Sequence, residues 1–345
     1  MNSNQAIALL QLMREDLPAQ AKIYQPTAFW SEASENISSE LMEHGFEQFR
    51  SLSSIRSFFA PSYGSPYNRL NRDLFDQIIT LADGDHDQTV TLNHLLNGEA
   101  AALADYRTVM ASSYPHDSMR LQATSESAIG DPVEHFHFDE KWFSRSFLNY
   151  LLGLSFLQQQ IDTNDIHRVV EVGGGFGTLG EILAQSGEYA YVNIDIPPTA
   201  AVSSYYLSNQ PNIDLIPYSD TRNSETIPFP QSGSQLVLCP WQLPRLQGDA
   251  DLFVNFISFQ EMEPEVVQHY LQQVERLNCQ FILLRNLREG KQQRTADRLG
   301  VDTPTLGEDY DHFLPHYQLV STNVIPFGFR TLDGFHSELR LYQRR

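Results

Sequence analysis

Apolar side chains recur at helical spacing through the first half of this 345-residue chain and at strand spacing through the second. Within residues 1–165 the helical period runs through Ala6-to-Met13, Phe29-to-Phe49, Leu70-to-Leu81 and Leu92-to-Met110. Breaks at Pro26, Gly45, the Pro61–Pro66 loop and Gly84 separate these stretches. A further helix is predicted through Trp142, Phe143, Phe147, Leu148, Leu151, Leu152, Phe156 and Leu157. It leaves little polar face, so it is expected to be buried on several sides, in the core or at a subunit interface.

From about residue 166 the pattern becomes strand, turn, helix. Strands are predicted at Arg168–Val172, Tyr189–Ile196, Gln235–Cys239, Asp251–Ile257 and Cys279–Leu284. Helices are predicted at Thr178–Ser186 and Pro264–Leu277. The stretch from Gln210 to Gln231 is long for its place and has room for an extra strand at Ile213–Pro217. Two late strands, near Leu319–Ile325 and Ser337–Tyr342, suit a hairpin. Strands alternating with helices imply parallel βαβ units and a three-layer α/β sheet.

Charge excludes partners more than it selects them. The chain carries 43 acidic and 23 basic side chains, a net charge of −20, spread evenly between its two parts. A nucleic-acid binder needs a basic face to displace counterions from phosphates, and lysine occurs only at Lys22, Lys141 and Lys291. An anionic membrane is excluded on the same ground. No apolar run reaches the roughly 18 residues of a membrane span. Cys239 and Cys279 have no metal-ligand spacing. The N-terminus lacks the basic start of a signal peptide, so the expected location is the cytoplasm. Asp83-Gly-Asp-His-Asp87 fails the spacing of a calcium loop, with Gln88 and His94 where Gly and Glu are needed.

The sharpest feature is Val170-Glu-Val-Gly-Gly-Gly-Phe-Gly177, which follows a strand and opens a helix. Glycines belong where the chain turns sharply and its backbone lies against a ligand. Two ligand classes use such a turn. Gly175-Phe-Gly177-Thr-Leu-Gly180 fits the dinucleotide pattern. Glu171, Gly173, Gly175 and Gly177 fit the acidic Gly-x-Gly-x-Gly turn that binds S-adenosylmethionine. An anion at Glu171 would repel a pyrophosphate but help hold a cationic methionine end. Asp195, at the end of the next strand, suits ribose hydroxyls in either class.

The glycine block resembles motif I of class I S-adenosylmethionine-dependent methyltransferases. Asn193-Ile-Asp-Ile-Pro-Pro198, Tyr205-Tyr-Leu-Ser208 and Asp251-to-Met262 resemble, more narrowly, the bacterial sugar O-methyltransferase family. The resemblance is clearest from about residue 125 to 285. It implies a Rossmann-like α/β fold with a seven-stranded, mostly parallel sheet and a helical N-terminal region. The aromatic helical pattern marks 1–140 as an expected lid and dimerisation region, with an expected cofactor domain at 141–345. Glu171, Gly173, Gly175 and Gly177 would line the methionine end, Asp195 would hold the ribose, and Ile196 would flank the adenine. Pro240, Trp241 and Gln242 would sit near the adenine, although Trp241 suits a core position equally well. Asn255 to Ser258 would face the sulfonium.

Methyl transfer to a hydroxyl needs alignment and a base. The candidates are His135 and His137, which share a side if their segment is extended, and Glu261 beyond the fourth strand. His312, His316 and His336 are weaker ones. For each histidine the structural role is the commoner one, and Glu261 also suits a helix N-terminal acid before Pro264. No Asp pair accompanies Glu261, so no metal is expected. Phe58, Phe59, Tyr63 and Tyr67, near Arg56, suit both an acceptor pocket for a sugar and a packing or homodimer surface. The expected function is O-methylation of a sugar or glycosylated natural product. A C- or N-methyl acceptor, a nicotinamide-dependent oxidoreductase and a catalytically silent scaffold remain alternatives.

Overall fold

The computed structural model describes residues 1–64, 80, 87–88, 90, 97–114, 117–296, 298–331 and 334–345. The helical pattern at Leu70–Leu81, the start of that at Leu92–Met110, the Asp83–Asp87 loop and Tyr67 lie wholly or mostly outside the described residues. Among the described residues no helix is long and apolar enough to cross a membrane.

The N-terminal pattern yields α1 (Ser3–Asp16), α2 (Ser31–His44), α3 (Ser53–Phe58) and α4 (Glu99–Ala111). The Asn2 side chain caps α1, accepting from Gln5 N–H while the Gln5 side chain accepts from Asn2 N–H. A short antiparallel hairpin follows, β1 (Phe136–Phe138) with β2 (Lys141–Phe143). Trp142 and Phe143, expected in the buried helix, belong to this hairpin instead. Ser144 is the reason: its hydroxyl accepts from Phe147 N–H and starts α5 (Arg145–Gln160) at the next residue. Phe147 through Gln158 are all buried, as the uniformly apolar pattern predicts.

Beyond α5 come β3 (Arg168–Val172), α6 (Thr178–Ser186), β4 (Ala190–Ile194) and α7 (Pro197–Ser208). The strands β5 (Asp214–Ile216), β6 (Ile227–Pro228), β7 (Ser234–Leu238), β8 (Leu246–Gln247) and β9 (Leu252–Phe256) follow. Last are α8 (Pro264–Arg276), β10 (Phe281–Leu287), β11 (Tyr317–Asn323), β12 (Phe329–Arg330) and β13 (His336–Arg344). The main sheet runs β11-β13-β10-β9-β3-β4-β7-β5, with β12 paired to β13. From β10 to β5 every pairing is parallel, and β13 runs antiparallel beside β10. This is a Rossmann-like mixed α/β fold with a mostly parallel central sheet.

The nine strands exceed the seven that the resemblance implies. The long Gln210–Gln231 stretch explains one addition: it supplies β5 at the sheet edge, and β7 inserts between β4 and β5. The two-residue β12 accounts for the other.

Alternate residues of the central strands enter opposite cores. Val169, Tyr191, Val237, Val254 and Leu283 join the N-terminal helices, α5, α6 and α7. Val170, Val192, Leu236, Phe253 and Ile282 join α8. A parallel sheet covered on both faces needs apolar side chains at consecutive positions, which is why these strands read as unbroken apolar runs.

Candidate functional site

Strand β3 has β4 on one side and β9 on the other, so the chain reverses direction across the sheet at this point. Open α/β sheets form their ligand crevice at the carboxyl ends of the strands beside such a reversal. A cleft open to solvent lies there. Its floor is Gly173, Gly174, Gly175 and Phe176 after β3, Asp195 and Ile196 after β4, and Ile257 and Ser258 after β9. Its walls include Thr27, Trp30, Phe58, Phe59, Tyr150, Phe256, Tyr270 and Arg285.

The glycines divide their work. A Cβ on Gly175 would meet only Phe59 Cβ, at 3.8 Å, so it would project into the cleft. Gly175 also has φ +59°, a left-handed backbone that L residues rarely adopt. A Cβ on Gly173 would strike Ser258, whose hydroxyl donates to the Val172 carbonyl at 3.2 Å and accepts from Asn255 Nδ2 at 2.6 Å. Gly174 faces inward, where a Cβ would collide with the Glu171 carboxylate and with Asn193 Oδ1. Gly177 is buried at the start of α6, where a Cβ would press on Leu207 and Ser203 of α7. Of the four, Gly175 opens onto the cleft, and the other three are required by close packing.

The two predicted acids differ in the same way. Asp195 lines the cleft, and its carboxylate accepts from Gly175 N–H at 3.0 Å and Ile196 N–H at 2.8 Å. Burial pushes its carboxyl up to about 8, against the pull of those two amides. Glu171 does not line the cleft. It lies beneath the floor, fully buried, and accepts from the hydroxyls of Tyr150, at 2.6 Å, and Tyr191. Burial raises it to about 7, moderated by those hydroxyls. Glu171 therefore shapes the turn from below, and a direct contact with a cationic ligand is not what its geometry offers.

Pro240, Trp241 and Gln242 also fall outside the cleft wall. They form a 3₁₀ turn after β7, in which Gln242 accepts from Cys239 N–H at 2.8 Å and donates to Thr221 at 3.0 Å. Trp241 is buried in the core. Asn255 is wholly buried and ties β9 to the Val172 carbonyl at 2.8 Å.

Neither histidine of the expected base pair reaches the cleft. Both rings do share a side, as an extended segment requires, but they pack on Trp142, at 4.9 Å for His135 and 4.6 Å for His137. His135 also sits 3.8 Å from the Glu126 carboxylate, and burial lowers its pKa. His336 pairs with Glu289 at 2.6 Å, away from the cleft. Glu261 does line the cleft, yet both its carboxylate oxygens are engaged. Lys291 Nζ donates to one at 2.8 Å and Trp30 Nε1 to the other at 3.1 Å. Thr27 donates to the Glu261 carbonyl at 3.0 Å, and Lys291 lies over the Phe29 ring at 4.7 Å. Residues 27–30 are thus fastened across the mouth.

Phe58 and Phe59 line the cleft as expected, and Phe58 packs on Trp30 at 5.2 Å. Tyr63 lies behind them, donating to Asp105 at 2.5 Å, and Arg56 borders a smaller adjoining pocket. Three lining features carry no signal in the linear sequence. Ile257 has φ +74°, an outlier for a β-branched residue, held by its N–H donating to the Arg285 carbonyl at 2.6 Å. Tyr270 comes from α8, and the fully buried Arg285 from β10.

No protein-family model matches the chain. No curated protein matches it either. Among solved structures, the Synechocystis PCC 6803 magnesium protoporphyrin IX methyltransferase with bound SAH is similar at 10% identity and a TM-score of 0.38, over 75% of this chain and 100% of that one. The mitomycin 7-O-methyltransferase MmcR is similar at 10% identity and a TM-score of 0.38, over 100% of this chain and 76% of that one. The glycopeptide N-methyltransferase MtfA with S-adenosyl-L-methionine is similar at 12% identity and a TM-score of 0.36, over 56% and 92% respectively. At these values the likeness identifies no acceptor and no site residue.

Proposed function

We propose that this chain is an S-adenosylmethionine-dependent methyltransferase of small molecules, and that it O-methylates a sugar or glycosylated natural product. One observation carries the reading: an open glycine cradle at Gly175 faces an aromatic cleft and stands beside Asp195, a carboxylate held among the described residues by two backbone amides. That donor set fits the cofactor. Gly175 allows the close approach, and Asp195 has acceptor capacity left for ribose hydroxyls. Ile196 and Tyr270 offer apolar surface to an adenine, and Gly173, Ile257 and Ser258 border the reacting end. When bound, the cofactor supplies a methyl carbon activated by its sulfonium.

This chain's residues supply position and dryness. Trp30, Phe58 and Phe59 form an aromatic wall that excludes water and offers a ring face to a sugar. Because the lining side chains offer no histidine among the described residues, alignment of the acceptor is the main contribution here. Glu261 is fastened by Lys291 and Trp30, so its part is to hold the mouth. In this reading residues 1–140 act as a lid on the cofactor domain at 141–345, and a homodimer would form through the helical region. Incubation with methyl-labelled S-adenosylmethionine and a panel of free sugars, glycosides and amines tests the proposal. Label is expected in a hydroxyl-bearing sugar or glycoside, and label only in amines would overturn the O-methyl assignment.

A further inference from the structure

Arg285 is a buried cation whose hydrogen bonding is incomplete. It sits near the carboxyl end of β10, fully buried, and borders the cleft. Its Nη1 donates to the Asn149 carbonyl at 2.7 Å and its Nε to Ser337 Oγ at 3.3 Å. Its Nη2 is buried and has no hydrogen-bond partner. The guanidinium lies 5.3 Å from the centre of the Phe329 ring, and that of Arg145 lies 5.7 Å from the same ring. Two cations therefore share one small region.

Asp105 acts on Arg285 through its field, yet no described carboxylate forms an ion pair with it, and Asp105 Oδ2 accepts instead from Tyr63. Burial pulls the Arg285 guanidinium down to about 10, so it stays charged at neutral pH. A buried charge with an unmet donor is costly unless something arrives to satisfy it. A guanidinium edge matches the two oxygens of a carboxylate or phosphate better than it matches any neutral acceptor. Ser146 and Asn149 line the cleft beside it, three residues apart on α5 and so on one face of that helix.

We propose that Arg285 forms an oxyanion subsite at the end of the cleft away from Asp195, taking a carboxylate or phosphate from one of the two bound molecules. This rests on the methyltransferase reading, within which the anion is either the methionine carboxylate of the cofactor or an acidic group on the acceptor. Ser146 and Asn149 would supply the remaining hydrogen bonds to it.

Calorimetry on the full chain tests this with wild type, Arg285→Met and Arg285→Lys. The lysine form keeps the charge and loses the fork, so it guards against a methionine form that fails to fold. The probes are S-adenosylhomocysteine and its decarboxylated analogue, then glucuronate, glucose 6-phosphate and glucose added to protein saturated with S-adenosylhomocysteine. Charged hydrogen bonds of this kind correspond to roughly a ten- to hundredfold change in affinity. A loss of that size for S-adenosylhomocysteine, with none for its decarboxylated analogue, assigns the subsite to the cofactor. A loss for glucuronate or glucose 6-phosphate, with glucose and S-adenosylhomocysteine unaffected, assigns it to the acceptor. Equal binding of every charged probe by wild type and the folded variants overturns the proposal. Inorganic phosphate titrated into cofactor-free protein separates the two ideas. If wild type binds no S-adenosylhomocysteine but binds phosphate through Arg285, the subsite stands and the methyltransferase reading falls.

Discussion

The floor of the cleft comes from three short runs, Gly173–Phe176 after β3, Asp195–Ile196 after β4 and Ile257–Ser258 after β9, on adjacent strands in direct register. Its mouth and far end are assembled from distant positions. Trp30 and Glu261 meet across 231 residues, and Arg285 and Asn149 across 136. The floor depends on backbone shape, which neighbouring residues determine together. The far end depends on tertiary packing that brings single side chains side by side. The first kind of site leaves a mark in a linear sequence and the second leaves almost none.

The glycines offer the strongest way to break that contrast. Gly175→Leu is expected to weaken S-adenosylhomocysteine binding about a hundredfold, some 2.7 kcal/mol, because the new side chain enters the cleft and not the core. The fold should survive, since a left-handed residue costs only about 1–2 kcal/mol. Gly174→Ala, one residue earlier, should do the reverse. Its Cβ meets Glu171 and Asn193, so about 2–3 kcal/mol of stability is lost to overpacking. Chemical denaturation and calorimetry on both variants would show whether the two glycines really face opposite ways.

Asp195 gives the next largest effect. Its folded value lies near 8, above that of an unfolded aspartate. The stability this carboxyl contributes is complete below its unfolded value and is lost as pH rises through about 8. Glu171, near 7 for the same reason of burial, adds to the same slope. Cofactor-free protein should thus become less stable from about pH 4, where the unfolded carboxyls ionise, to about pH 8. Hydrogen bonds from a diol favour the ionised carboxylate, so affinity for S-adenosylhomocysteine should climb over the upper part of that range. Asp195→Asn should lower affinity about tenfold, the value of one charge-assisted hydrogen bond, and flatten the pH profile. A profile unchanged in the variant would remove Asp195 from the site.

Glu261→Gln should have the smallest effect, about 1 kcal/mol on stability, because in this largely buried position the glutamine amide oxygen still accepts from Lys291 or Trp30. The change loosens the fastening of residues 27–30, so limited proteolysis there should quicken while affinity for S-adenosylhomocysteine moves less than threefold. A large loss of turnover at unchanged affinity would instead restore Glu261 as a base.

Much of the fold was readable from pattern. The parallel strands, α6 and α8 follow from apolar periodicity, and the extra strand β5 from the length of its segment. Where the reading slipped, tertiary structure decided. Trp142 and Phe143 carry helix-compatible side chains, but the Ser144 cap excludes them and the Phe136–Phe138 strand pairs with them. Within the site, Gly173, Gly175, Asp195, Ile196, Ser258 and Glu261 reach the cleft. Glu171, Gly177 and the Pro240–Gln242 turn support it from beneath or beside. The histidines looked chemical because of their type, while the packing of both on one tryptophan is a three-dimensional fact. Arg285 gave no hint, since a lone arginine in an apolar strand has no partner pattern to betray it.

The central claim is that this cleft binds a sulfonium nucleoside and not a pyrophosphate dinucleotide. Calorimetric titration of the wild-type chain with S-adenosylhomocysteine and, separately, with NAD tests it most directly. Saturable one-site binding of S-adenosylhomocysteine, with no heat from NAD, is the expected result. Binding of NAD without S-adenosylhomocysteine would contradict it.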